Sequence, residues 1–76
     1  MARLDQLRPG DRSILESISG PPALMQRLYE IGMLEGEVVD VLGVAPLGDP
    51  IEIQIGQTRL SLRRQEAAAI AVRILD

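Results

Sequence analysis

The chain predicts a mainly β fold: a small, partly open β-barrel with one helix inserted into it. Three observations lead there. Short runs of alternating apolar residues recur along the chain, the cleanest being IEIQI at 51–55. Turn-forming clusters separate them: PGD at 9–11, GPP at 20–22, EG at 35–36, APLGDP at 45–50 and GQ at 56–57. One segment, 22–31, switches to the helical period. With 76 residues there is material for one barrel, spanning 1–76, and none for a second core. A domain of this size buries roughly 60% of the surface its unfolded chain exposes, so modest stability is expected.

Residues 1–11 read as a lead-in whose Leu4 and Leu7 tuck inward before the turn at 9–11. Residues 12–19 form a first strand with Ile14 and Ile18 on one face, a face that Glu16 shares. Pro21 and Pro22 then open the helix, because a first helical turn has no use for the missing N–H. Gly32 closes it as a C′ residue. Within 22–31, Leu24, Leu28 and Ile31 make one stripe, and Met25 and Tyr29 widen the apolar arc to about 160° where a core-facing stripe needs about 100°. The excess is a candidate contact surface, the alternative being that Met25 and Tyr29 cover the edge of the barrel.

After the turn at 35–36, the strand 37–44 carries Val38, Val39, Val41, Leu42 and Val44, a pattern expected of a strand buried on both faces. The loop 45–50 is stiffened by Pro46 and Pro50. Ile51, Ile53 and Ile55 alternate with Glu52 and Gln54, and Gly56-Gln57 makes a two-residue hairpin with glycine first. The returning strand 58–62 points Leu60 and Leu62 inward. A helical turn at 64–69 follows, then a last strand through Ile70, Val72 and Ile74. The expected core is Ile14, Ile18, Leu28, Val39, Val41, Ile51, Ile53, Leu60, Leu62, Ile70 and Val72.

Composition excludes much chemistry. There is no cysteine, so disulfides and thiolate sites are impossible, and no histidine, so imidazole ligands and histidine bases are absent. Without histidine or lysine, no serine or threonine has a partner to activate it. The nearest carboxylate pairs, Glu35 with Glu37 and Asp11 with Glu16, read as solvated charges. Only oxygen ligands remain for a metal, which suits Mg²⁺ or Ca²⁺, and no loop gathers enough of them; no metal site and no cofactor is expected.

The net charge is −3, with four arginines against six acids in residues 1–38 and four against five in 39–76. That balance, and Tyr29 as the sole aromatic residue, give no footprint for nucleic acid. Arg59, Arg63, Arg64 and Arg73 read either as a basic strip able to dock an acidic partner or a membrane surface or, as the favoured reading, as an ordinary solvated face pairing with Glu52 and Glu66. No signal peptide or membrane span is legible, so a cytoplasmic protein without direct membrane insertion is expected.

Between Leu4 and Val72 the chain resembles the FeoA-domain family. The matching pieces are LDQLRPGD, RLYEIGMLEG, VVDV, APLGDPIEI and LSLRRQEAAAIAV, in that order and over nearly the whole chain. It departs at Glu35, where the family usually has proline, and at the stiff Pro21-Pro22 pair. The resemblance implies an SH3-like barrel with an inserted helix. It also implies an accessory role in bacterial ferrous iron uptake, exerted in the cytoplasm on the G-protein domain of a FeoB-type permease. The same domain occurs fused to that permease and at the C-terminus of DtxR-type repressors. Beginning at Met1 and closing after one domain, the chain resembles the free-standing form. No catalytic motif comes with the family.

The leading reading is therefore a non-enzymatic interaction module. It would bind its partner, or a second copy of itself, through Met25, Leu28, Tyr29 and Met33. The alternatives are a metal-responsive regulatory module and a nucleic-acid-binding small barrel. Proline-rich peptides are a poor fit, because their grooves are lined by aromatic side chains.

Overall fold

The computed structural model describes residues 2–75. Along the chain come β1 (Ala2–Arg3), a 3₁₀ turn (Leu4–Gln6), β2 (Arg12–Ile18), α1 (Pro22–Glu30), β3 (Val38–Val44), β4 (Ile51–Ile55), β5 (Thr58–Leu62), α2 (Arg64–Ala67) and β6 (Ile70–Leu75). The strands form one antiparallel sheet in the order β1-β6-β2-β3-β4-β5. The barrel is thus partly open, with its gap between β1 and β5, and its six strands fall within the five or six expected, one more than the local patterns mark. The added strand is β1, two residues that pair Ala2 with Val72 and Arg3 with Ala71.

The core is aliphatic. Leu4, Leu15, Leu28, Met33, Val39, Val41, Ile51, Ile53, Leu62, Ile70 and Val72 are fully buried. Leu4 and Leu7 do turn inward from the lead-in.

Three expectations need correcting. In β2 the buried residues are Ser13, Leu15 and Ile18, and Ile14 is only half-buried. The cause is a bulge: Leu15 pairs with Val72 and Ser17 with Ala71, so Glu16 is an extra residue. One inserted residue reverses which side chains face inward. Glu16 is thereby ejected to solvent, and Ser13 is accommodated inside by donating its Oγ–H to the Val39 carbonyl at 3.2 Å.

In β3, Val39 and Val41 are buried while Val38 and Leu42 are exposed, so the strand has one solvated face. A bulge between Val41 and Gly43 accounts for the two consecutive apolar positions there. Finally, Leu60 is half-buried and Ile74 is exposed, because each lies toward a margin of the barrel and not over its centre.

The hairpin reads as expected. Ile55 pairs with Thr58 across Gly56-Gln57, and Gly56 has φ +59°, a conformation that side chains disfavour. The peptide bond between Asp49 and Pro50 is cis.

Candidate partner-docking site

Helix α1 begins with Pro22 at its first position and no side-chain cap. Its end is built more tightly. Ile31 is the C-cap, the Gly32 N–H donates to the Tyr29 carbonyl (3.1 Å), and the Met33 N–H donates to the Leu28 carbonyl (3.0 Å). Gly32 has φ +99°. These two bonds define a Schellman motif, in which the residue after the glycine folds back on the last helical turn. Here that residue is Met33, and it meets Leu28 in the core; both are fully buried.

The four residues expected to bind a partner therefore divide. Leu28 and Met33 are core. Met25 and Tyr29 are half-buried, packed against the core along one side and open along the other. Two residues that the periodicity did not single out for this surface are exposed beside them. Ile31 turns away at the C-cap and is 39% exposed, and Leu34, just after the motif, is 48% exposed. The signal for Leu34 was available in principle: once Gly32 fixes the motif, Met33 must fold inward and its neighbour outward.

Tyr29 is held in place. Its hydroxyl donates to Glu35 Oε1 at 2.6 Å, which ties the helix to the turn that follows it. That hydrogen bond, with burial and the negative charge of Glu35, raises the phenol above its ordinary pKa. Glu35 thus braces the turn at the position where a proline was expected.

A second set of contacts fixes the other helix. Glu66 is buried; its Oε1 accepts the Arg63 N–H at 2.8 Å, capping α2, and its Oε2 pairs with Arg27 of α1 at 2.7 Å. Arg64 donates to the Gly48 carbonyl (2.8 Å) and the Asp5 carbonyl (2.6 Å), while its own N–H donates to Asp49 Oδ1 (3.0 Å). The C-terminal arginines therefore do not pair as expected. Glu66 serves α1, Arg64 is a clamp, and among the described residues the ion pairs are Arg12–Asp40 and Arg27–Glu66. The Asp40 carboxylate, by hydrogen bond and charge, raises the Arg12 pKa.

Among the described residues no three acidic, histidine or cysteine side chains come together as metal ligands. Among the described residues no helix is long and apolar enough to cross a membrane. A shallow groove lined by Gly43, Val44, Ala45, Pro50, Glu52 and Ser61 measures about 200 Å³, smaller than ordinary ligand pockets. The surface around the end of α1 exposes apolar side chains, Ile31 and Leu34 among them.

The frame is a mainly β barrel of SH3-like architecture with an inserted helix. Residues 2–74 match the FeoA domain family, and the chain belongs to it. A Porphyromonas gingivalis Fe(2+) transport protein A/Fe(2+) transporter FeoB fusion protein is 34% identical over 97% of this chain, which spans 9% of that relative. The solution structure of the Chlorobium tepidum FeoA protein superposes with a TM-score of 0.91 at 41% identity, covering 99% of this chain and 71% of that one. The zinc complex of Stenotrophomonas maltophilia FeoA, described as a prokaryotic SH3 domain protein and put forward as a ferrous iron transport activating factor, superposes with a TM-score of 0.81. It is 32% identical, with 95% of this chain and 89% of that one covered.

Proposed function

We propose that this chain is a non-enzymatic accessory protein of ferrous iron uptake that acts in the cytoplasm by docking on a FeoB-type permease. The observation that carries this reading is the fusion relative: a domain matching 97% of this chain lies in one polypeptide with the FeoB transporter. Covalent linkage keeps two modules at high effective concentration, which is useful when they work in contact. The docking surface is the open side of α1 and its following turn: Met25, Tyr29, Ile31 and Leu34. Leu28 and Met33 support it from beneath.

The test is co-purification with the permease's G-protein domain, run beside thermal melts and size-exclusion chromatography. Met25→Glu and Leu34→Glu should retain the fold and lose the partner. Well-folded variants that bind like the parent chain would remove this surface from consideration. Capture of a second copy of the chain, with no capture of the G-protein domain, would favour self-association.

A further inference from the structure

The β5 edge of the sheet combines three features that the iron-uptake reading does not use. First, β5 has one neighbour, β4, and ends the sheet order. Antiparallel pairs alternate between hydrogen-bonded and open positions. The two-residue hairpin makes Ile55–Thr58 a bonded pair, so Thr58, Leu60 and Leu62 bond to β4. The N–H and C=O groups of Arg59 and Ser61 then point outward, away from β4. Arg63 ends this open stretch, because its N–H donates to Glu66 and its carbonyl accepts from α2.

Second, this edge carries two arginines against one acid on an acidic protein: Glu52, the cross-strand neighbour of Ser61, shares the face of Arg59 and Arg63. Arg59, Ser61 and Arg63 are exposed on one face of the strand, with Leu60 and Leu62 on the other. Among the described residues the Arg59 and Arg63 side chains make no ion pair, whereas Arg12 and Arg27 do.

Third, a rigid apolar feature stands at the same end. Ser61 is one wall of the groove formed with Gly43, Val44, Ala45, Pro50 and Glu52. The adjoining 45–50 loop is closed by the Gly48 N–H to the Ala45 carbonyl (2.7 Å) and the Ala45 N–H to the Pro50 carbonyl (3.0 Å), and is clamped by Arg64. Its Leu47 is 97% exposed.

We infer that β5 is a docking edge for an extended acidic segment, which adds as a seventh strand. Carboxylates four residues apart match Arg59 and Arg63, and the apolar side chain midway between them lies against Ser61 and the groove. The open N–H and C=O groups of Arg59 and Ser61 supply the ladder. A second copy of β5 is a poor occupant, since it would set arginine against arginine on one face. This inference is independent of which transporter, if any, the chain serves.

The probe is a capped seven-residue peptide, Gly-Glu-Thr-Val-Thr-Glu-Gly, titrated into the full chain and followed by amide NMR. Shifts are expected at 58–63 and around the groove, with binding that weakens as salt is added. Arg59→Glu with Arg63→Glu should weaken it by about tenfold or more, and a peptide with lysine for both glutamates should not bind. Ser61→Pro removes one outward N–H at an edge position that tolerates proline, so it should keep the fold and lose the peptide. Should that variant misfold, N-methylating the peptide's β5-facing amides tests the ladder without touching the protein. Equal binding of the lysine peptide, indifference to N-methylation, shifts elsewhere on the barrel, or no shifts at all would each overturn the inference. Dimerisation of the chain through β5 would overturn it too.

Discussion

Two glycine-bearing turns treat their apolar residues in opposite ways. In the 31–36 turn, hydrogen bonds around Gly32 fold Met33 into the core against Leu28. In the 45–50 loop, a comparable set of bonds, reinforced by Arg64, holds Leu47 out in water. Both segments are ordered by their backbones, so order does not explain the difference. The Schellman bonds direct the following residue toward its own helix, whose inner side is the core. The 45–50 loop connects adjacent strands at a barrel margin, and a tip there has nothing to fold onto. A turn's hydrogen bonds thus decide direction, and its place in the fold decides whether that direction means burial.

The largest effects should come from the buried side of this comparison. Leu28→Ala and Met33→Ala should each cost about 2–5 kcal/mol in denaturant unfolding, a large part of a small domain's stability. A cost for Met33→Ala near that of a surface change would break the comparison, because Met33 would then be no more buried in effect than Leu47.

Next comes the clamp. Arg64→Ala removes two hydrogen bonds from a charged donor and should cost about 1.5–3 kcal/mol, with faster amide exchange in 45–50. Arg64→Lys should restore little, since an ammonium cannot reproduce the fork that reaches Gly48 and Asp5 together. Unchanged exchange in the loop would show that its own bonds suffice.

Tyr29→Phe should lower the melting temperature slightly at neutral pH. The folded phenol's pKa is raised above its ordinary 10, so its contribution is full below that value and fades as pH rises through the folded one. The difference between parent and variant should therefore vanish in strong alkali. A constant difference across that range would assign it to packing, not to the Glu35 hydrogen bond.

Leu47→Ser should leave stability within about 0.5 kcal/mol, as for surface changes generally. Smallest of all is the response to metal. Calorimetry with ferrous iron or zinc under anaerobic conditions should show no site tighter than roughly millimolar, given carboxylate ligands only.

Much of the fold was legible because its signals are local. The alternation in 51–55, the Gly56 turn and the return strand match β4 and β5 residue for residue, and α1 ends within one residue of its expected limit. What escaped is non-local or one residue wide. β1 is two residues long, and its partners Ala71 and Val72 lie at the far end of the chain, so no local pattern announces it. The Glu16 bulge cannot be told from regular alternation without its partner strand. Of the proposed docking surface, helical periodicity marked Met25 and Tyr29, which are half-buried and open along one side. Leu28, already expected in the core, and Met33, beyond the helix, were also named as partner contacts, and both are buried.

The β1–β6 pairing has a further consequence. Ala2 lies beside Val72, so the N- and C-terminal segments meet on one side of the barrel. A tether attached at either end would start from nearly the same place. The domain can thus be joined before or after another polypeptide without altering how its other faces are displayed. That makes it portable: a unit that gene fusion can append in either order, with the rest of its surface left intact.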